Sequence, residues 1–126
     1  MIYGIGADIV AIPRMDAIVQ RHGERFAQRI LAGEERAEYA AAAQKGRFLA
    51  KRFAAKEAFA KAAGTGVRPP VNLSALRVTH DALGRPGFAY DPALAAWMQE
   101  RGIFAAHLSL SDEQNNAIAF VILETA

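Results

Sequence analysis

The sequence predicts an α+β fold, with a small, mainly antiparallel sheet packed against one long helix and several shorter ones. Three observations support this class. Helical patterns cluster in the first half of the chain, strand-type runs cluster in the second half, and one further strand precedes the helices. With 126 residues the chain is long enough for one core and too short for two, so residues 1–126 are predicted to form a single domain.

The elements of the first half follow from apolar spacing and from proline and glycine signals. Residues 2–10 form an apolar run with Ile and Val around small residues, which is typical of a buried strand. Pro13 suits the first turn of the next helix, and Gly64 is placed to end the longest helix as its C-cap. Four helices are predicted, over residues 13–23, up to residue 33, over 34–44 and over 47–63.

The elements of the second half are shorter and mostly of strand type. Alternation is clearest at residues 107–111, where Leu108 and Leu110 alternate with polar side chains. The predicted strands lie at 73–79, through 88 and 90, at 107–111 and at 117–123, with turns at 83–86 and 112–116 and a helix ending at residue 102. Because the sheet is small for this chain, we expect that burying its face requires neighbouring subunits.

Composition and charge exclude several classes of protein. The chain has no cysteine, which excludes disulfides, thiolate catalysis and Cys-ligated zinc. No apolar run is long enough to cross a bilayer and the N-terminus lacks a secretion signal, so we expect a cytoplasmic protein with no membrane partner. Residues 14–61 contain eleven Lys or Arg against six Asp or Glu, which indicates an acidic partner, a phosphate-bearing ligand, or simply a solvated surface.

Glu57 lies among apolar residues on the longest predicted helix. At 100° per residue its side chain is about 40° from that of Phe53 and about 60° from that of Ala60, so its carboxylate is expected to be partly removed from water. An ion pair with Lys61, one turn later, would account for a glutamate in this position. A ligand role is the other explanation, and one site can contain both.

Asp8 stands inside the apolar first strand, where aspartate is rare. Its carboxylate either caps the helix that follows or serves as a ligand. Asp8 and Glu57 together would suit one Mg²⁺ ion, which commonly uses one or two protein carboxylates and takes its other ligands from phosphates and water. Such a site needs cations for the phosphates, and Arg52, Lys56 and Lys61 share the helix of Glu57.

Two further segments suit a phosphate ligand or a plain structural role. Gly64, Thr65 and Gly66 form either a helix cap or a nest of backbone N–H groups. His107 either donates a hydrogen bond to a phosphate or a base, or is a structural histidine. His107 and Ser109 do not indicate a hydrolase triad, because G-x-S-x-G is absent, and the chain also lacks a P-loop.

Three blocks of sequence stand at a fixed spacing along almost the whole chain. They are IYGIGADIV at residues 2–10 with Ile12 and Arg14, RFLAKRFAAKEA at 47–58 continuing through KAAGTG at 61–66, and HLSLSDE at 107–113 leading into AIA at 117–119. In these blocks the sequence resembles the holo-acyl-carrier-protein synthase family of phosphopantetheinyl transferases. The second block is the most specific of the three.

The resemblance implies an enzyme that transfers 4'-phosphopantetheine from coenzyme A to a serine of an apo acyl carrier protein, releasing adenosine 3',5'-bisphosphate. It implies Mg²⁺ as the cofactor, bound by Asp8 and Glu57, with Lys61 against the phosphate that is attacked. The coenzyme A cleft would be lined by Arg52, Lys61, Gly64, Thr65, Gly84, Arg85, Pro86 and His107.

The resemblance also implies partners beyond the small molecules. Members of the family are homotrimers in which adjacent subunits share each active-site cleft. Their first helices dock an acidic helix of the carrier protein, a role that falls here to Arg14, Arg25 and Arg29. Phe26 and Ile30 stand beside these arginines and are expected to add apolar contact.

Two positions depart from the family pattern. Ala11 stands where many members have an acidic residue, so a third carboxylate near the metal is missing. Asp112 stands where some members have histidine, and we assign it no role.

Two other classes of function remain alternatives at this point. A non-catalytic module that binds coenzyme A or a nucleotide would need the basic cleft but not both carboxylates. A nucleic-acid-binding domain would need an exposed aromatic platform or a recognition helix. Its aromatic residues are instead spaced as in a helical core, at Phe48, Phe53, Phe59 and Trp97, so we expect no nucleic-acid partner.

Overall fold

A computed structural model describes residues 1–126 and confirms the α+β class. Five α-helices and five strands alternate irregularly along the chain. In order they are β1 (Ile2–Ala11), α1 (Ile12–His22), α2 (Glu24–Ile30), α3 (Glu35–Ala41), α4 (Lys45–Ala63), β2 (Leu76–His80), β3 (Pro86–Tyr90), α5 (Pro92–Glu100), β4 (Ile103–Asp112) and β5 (Asn116–Thr125).

All strand pairs are antiparallel, in two small sheets. The larger sheet has the order β1–β5–β4, so the first strand of the chain lies beside the last one. The smaller sheet is the β2–β3 hairpin. The larger sheet packs one face against α4, and we call this the inner face; the opposite face is the outer face. The core lies between the inner face, α4 and the surrounding helices.

The contact between β1 and α4 depends on two glycines. A Cβ atom on Gly4 would lie 1.9 Å from the carbonyl oxygen of Ala62, and one on Gly6 would lie 2.0 Å from that of Ala58. No side chain fits at either position, because the obstructing atoms belong to the helix backbone. The absence of a side chain at these positions therefore lets the strand and the helix approach each other closely.

The predicted elements are present, with differences at their ends. The helices predicted up to residue 33 and over 34–44 are shorter, ending at Ile30 and Ala41. Residues 73–75 form a 3₁₀ turn before β2, and β4 begins at Ile103, four residues earlier than predicted. Gly64 adopts a left-handed conformation with φ of 80° and ends α4 as expected.

The prediction that the first strand is buried is wrong for one of its faces. Ile5 and Ile9 are about 60% exposed on the outer face. They pair across the strands with Ile122 and Ile118, and Phe120 lies between these two positions on β5. The single chain thus has an apolar outer face with nothing packed on it, and a strand of this composition needs a second surface to be buried on both sides.

None of the five α-helices combines the length and the apolar composition that a bilayer crossing requires.

Candidate active site

Asp8, Glu57 and Lys61 lie together in one cavity of about 550 Å³ between β1, α1, α2 and α4. We call these three side chains the charged part of the cavity, and Arg14 adds a fourth charged group to its wall. The rest of the wall is mainly apolar and comes from the helices, with Met15, Ile18, Phe26 and Phe53 among its residues. The cavity therefore joins two carboxylates and an ammonium group to a surface that suits an aliphatic chain or an apolar side chain.

The close packing of β1 on α4 places the charged groups. Asp8 follows Gly6 by two residues, so its side chain points from β1 to the same inner face. Glu57 and Lys61 are one helical turn apart on α4 and face the same cavity. The position of Asp8 beside Lys61 thus follows from the strand register and the helix period.

Lys61 makes its ion pair with Asp8 and not with Glu57. Its Nζ donates to Asp8 Oδ1 at 3.1 Å and to the backbone carbonyl of Ala7 at 2.9 Å. The local pair considered for Glu57 and Lys61 is therefore not formed. Asp8 does not cap α1 either, because the N-cap residue is Ala11 and no side chain caps that helix.

The surroundings of Glu57 disfavour the charge of its carboxylate. Burial raises the pKa of the Glu57 carboxyl, the negative charge of Asp8 raises it further, and Lys61 opposes both effects. The expectation that this carboxylate is partly removed from water is confirmed. Two carboxylates that repel each other inside one cavity would be stabilised by a bound cation.

The donor set at this position suits Mg²⁺, though with few protein ligands. No group of three or more His, Cys, Asp or Glu side chains is arranged to hold a metal. The cavity contains two carboxylates, those of Asp8 and Glu57, and Ala11 contributes none. Two protein carboxylates are sufficient for Mg²⁺ when phosphate and water complete its coordination. The residues present therefore fit an ion that binds together with its substrate.

The prediction that Lys56 supplies a cation to this site is wrong. Its side chain is fully buried, and its Nζ donates to the carbonyl of Ile30 at 2.6 Å and to Glu35 Oε1 at 2.5 Å. Burial lowers the pKa of Lys56, which the Glu35 carboxylate opposes. Arg52 also lies outside the cavity and is held by Glu35 and Glu38, with its guanidinium 4.4 Å from the ring of Phe48.

The other residues expected to bind coenzyme A do not line the cavity; Gly64, Gly84, Arg85 and His107 are exposed, and Thr65 and Pro86 are partly exposed. Gly64 and Thr65 follow the end of α4, and the Thr65 hydroxyl donates to Gly66. The turn that contains Gly84, Arg85 and Pro86 joins β2 to β3, and its backbone N–H groups donate to Asp81. His107 lies on the outer face, paired with Ile122, and its Nε2 is 2.8 Å from a Glu124 oxygen.

The arginines expected to dock an acidic partner are exposed near the mouth of the cavity. Arg14 lines the cavity itself, and Arg25 and Arg29 border a small depression beside Phe26. None of the three makes an ion pair with an acidic side chain, so their charges are available to a partner. The expected contact from Ile30 is wrong, because its side chain has no exposed surface.

Part of the cavity wall and one structural ion pair were not predicted from the sequence. Met15 and Ile18 of α1 line the cavity, but their three-residue spacing in the sequence indicates only a buried helix face and not which cavity it lines. Arg21 and His22 extend the basic surface beyond the three arginines named above. Asp112 binds Arg47 at 2.7 Å and joins the β4–β5 turn to α4, which accounts for its position.

Comparison with known proteins agrees with the three sequence blocks. A model of the 4'-phosphopantetheinyl transferase superfamily matches residues 4–121. A holo-[acyl-carrier-protein] synthase of Nitrosospira multiformis is 57% identical, over 98% of this chain and 99% of that protein.

Two solved structures are similar over nearly the whole chain. A crystal structure of holo-[acyl-carrier-protein] synthase from Neisseria meningitidis has a TM-score of 0.96 and 50% identity, covering 99% of this chain and 100% of that one. A synthase from Bacillus anthracis in complex with CoA (3',5'-ADP) has a TM-score of 0.82 and 33% identity, covering 100% and 99%. The chain therefore belongs to the holo-[acyl-carrier-protein] synthase family of the 4'-phosphopantetheinyl transferase superfamily.

Proposed function

We propose that residues 1–126, acting as a single domain, transfer 4'-phosphopantetheine from coenzyme A to a serine of an apo acyl carrier protein in the cytoplasm. The products are the holo carrier protein and adenosine 3',5'-bisphosphate. The observation that carries the proposal is the cavity in which Asp8, Glu57 and Lys61 meet an apolar wall. The names of the similar proteins and the coenzyme A complex of the Bacillus anthracis synthase support the same reaction.

In this reaction the serine oxygen attacks the β-phosphorus of coenzyme A and its proton passes to water. The bond from that phosphorus to the oxygen that bridges the two phosphates breaks, and adenosine 3',5'-bisphosphate leaves with this oxygen. Asp8 and Glu57 would hold Mg²⁺, which when bound supplies positive charge to the pyrophosphate. Lys61 keeps more than half of its side chain exposed in the cavity, so its ammonium group can leave Asp8 and bind a phosphate oxygen. There it would stabilise the negative charge that develops on the leaving group.

The carrier protein would bind through charge at the helices and through apolar contact at the cavity wall. Arg14, Arg25 and Arg29 present unpaired guanidinium groups, which suit an acidic helix. Phe26 is half-buried between these arginines and the cavity, where it can contact an apolar side chain of the carrier. This arrangement would bring the carrier serine toward Glu57 and Lys61.

The coenzyme A site is proposed to lie between subunits of a homotrimer. Asp8 points to the inner face of the sheet, because it pairs with the buried Ala119, whereas His107 lies on the outer face. One chain therefore cannot bring these two residues to the same side of the sheet. The exposed Ile5, Ile9 and Phe120 of the outer face supply an apolar surface for the neighbouring copy.

In such an assembly the remaining predicted coenzyme A contacts would complete the cavity of an adjacent subunit. They are the exposed Gly64, Gly84, Arg85 and His107, the partly exposed Thr65 and Pro86, and Arg52, of which only a small part is exposed.

Intact-mass spectrometry tests the transfer directly. Apo acyl carrier protein is incubated with the protein, coenzyme A and Mg²⁺, with and without EDTA. We expect the carrier to gain the mass of one phosphopantetheine group, and we expect EDTA to abolish the gain. Glu57→Ala should also abolish it, whereas Glu100→Gln, at an exposed glutamate of α5, should not. No gain with several apo carriers and a folded protein would contradict the proposal and favour a module that binds coenzyme A without catalysis.

A further inference from the structure

Lys56 is a fully buried cation that the proposed reaction does not use. It is adjacent in sequence to Glu57, yet its side chain leaves α4 about 100° around the helix from that of Glu57 and does not line the cavity. Its ammonium group has two partners, the Ile30 carbonyl at 2.6 Å and Glu35 Oε1 at 2.5 Å. A buried lysine is costly unless such partners satisfy it, so both contacts are needed to keep it there.

The first partner is the end of α2. Ile30 is the last residue of this helix. The carbonyl groups of the last turn of a helix accept no hydrogen bond from within the helix. A positive charge at a helix C-terminus satisfies such a carbonyl and interacts favourably with the helix dipole. With seven residues α2 is too short to be stable alone, so its position depends on contacts of this kind.

The second partner is itself held in place. Glu35 has no exposed surface, and its carboxylate also accepts hydrogen bonds from the backbone N–H groups of Ala32 at 2.9 Å and of Val78 at 3.0 Å. The carboxylate is therefore fixed between the α2–α3 connection and β2. Lys56 binds both the fixed Glu35 carboxylate and the Ile30 carbonyl. It therefore joins the C-terminal end of α2 to α4, with its own ammonium group held in place by Glu35.

The helix that Lys56 holds is the one that carries the docking residues. Arg25 and Arg29 are on α2, and Phe26 extends from it into the cavity, with its ring 6.4 Å from that of Phe53 on α4. Glu57 is on α4, next to Lys56. The contact that Lys56 makes between α4 and α2 therefore helps to determine the distance from the docking arginines to the charged part of the cavity.

We infer that Lys56 is a positioning residue: it fixes α2 relative to Glu57 so that a carrier protein bound on Arg25 and Arg29 places its serine at the charged part of the cavity. Lys56 touches neither substrate. The inference rests on the proposed function, because it assigns α2 to carrier docking. A buried ion pair that only stabilises the fold would make a different prediction, and two variants separate the two roles.

The variants are Lys56→Met and the double change Glu35→Gln with Lys56→Met. Both remove the hydrogen bond to the Ile30 carbonyl. The single variant also leaves the buried Glu35 carboxylate without its closest cation, so it should be markedly less stable than the wild type. The double variant removes both charges and keeps the net charge of the protein. Arg52 loses its ion pair with Glu35 but keeps that with Glu38, so the double variant should recover part of the lost stability.

Steady-state kinetics with apo carrier protein and coenzyme A give the first readout. We expect both variants to raise the apparent KM for the carrier about tenfold, the effect of losing one hydrogen bond to a charged group, with the KM for coenzyme A unchanged. The defect should persist in the double variant although its stability recovers. A carrier KM that returns to within about twofold of wild type in the double variant would show that Lys56 serves stability alone.

Hydrogen exchange of the α2 amides gives a second readout that needs no activity. In the double variant, exchange at residues 24–30 should accelerate about tenfold while exchange in the middle of α4 stays the same. Unchanged exchange in α2 would overturn the inference even if the carrier KM rises. Failure of the wild-type protein to modify any carrier would overturn the proposed function, and the exchange experiment would still decide whether Lys56 holds α2.

Discussion

The substitution Gly6→Ala tests how the active site is built, because Gly6 is where β1 lies closest to α4. An added Cβ would be 2.0 Å from the carbonyl oxygen of Ala58 and 2.7 Å from the backbone nitrogen of Ala62. Both atoms belong to the α4 backbone, so no side-chain rotation relieves the overlap. Since ordinary contact begins at 3.4 Å, the strand and the helix must separate locally by about 1.4 Å.

A separation of this size has a predictable effect on stability and on the site. Overpacking in a core costs about 1–3 kcal/mol and occasionally more, and an overlap with rigid backbone belongs at the upper end. About 3 kcal/mol corresponds to a fall in melting temperature of about 10 °C or more for a domain of this size. Asp8 lies two residues further along the same face of β1, so its 3.1 Å contact with Lys61 should be lost as well.

Thermal unfolding by circular dichroism and turnover per folded molecule measure the two effects separately. Gly33→Ala is the matched control, because a Cβ at Gly33 meets nothing within 4 Å and its φ is not positive. That variant should melt at or slightly above the wild-type temperature, since alanine reduces the freedom of the unfolded chain. A Gly6→Ala protein that melts within about 2 °C of wild type would refute the proposed packing of β1 on α4.

Three further predictions concern charge and assembly. Glu57→Gln, measured in EDTA at pH 7.5, should melt at or above the wild-type temperature. Because the pKa of Glu57 is raised in the folded state, that state binds the carboxyl proton more tightly than the unfolded state does. The ionised carboxylate therefore reduces the stability of the wild-type protein above that pKa. The difference should vanish below about pH 4, and a lower melting temperature at pH 7.5 would contradict the reasoning. Arg25→Glu or Arg29→Glu should raise the KM for the carrier about tenfold at low salt and leave that for coenzyme A unchanged; an equal rise in both would exclude a docking role. If the protein forms the proposed trimer, Phe120→Lys should convert it to monomers in sedimentation experiments, because the change places a charge in the centre of the apolar outer face; an unchanged mass of the assembly would mean that another surface forms the interface.

Much of the site could be predicted from residues that disagree with their surroundings. Asp8 in an apolar strand and Glu57 among apolar helix neighbours are both predicted as site residues for this reason, and the structure places them in one cavity. The strong helix formers of residues 47–63 also predicted α4, and Gly64 was predicted correctly as its C-cap. These features are local, since a strand alternates every two residues and a helix repeats every 3.6.

The errors come from contacts between elements that are distant in sequence. Lys56 has the same local context as Glu57, and only the position of Glu35, 21 residues earlier, decides that its side chain turns into the core. Helix α4 is buried on most of its circumference, so its own sequence does not reveal which side faces the cavity. Ile30 was expected beside Phe26 on an exposed face, but α2 ends there and the side chain packs into the core.

The apolar composition of β1 extends to a face that its own chain leaves exposed. The composition of β1 is that of a strand covered on both faces, while in the single chain only the α4 side is covered. If a neighbouring copy covers the outer face, the same contact brings His107 to a cavity other than that of its own Asp8. Assembly and coenzyme A binding should then fail together in the Phe120→Lys variant, whereas its cavity would retain both carboxylates for a cation. A monomeric variant with unchanged affinity for coenzyme A would place the whole binding site within one subunit.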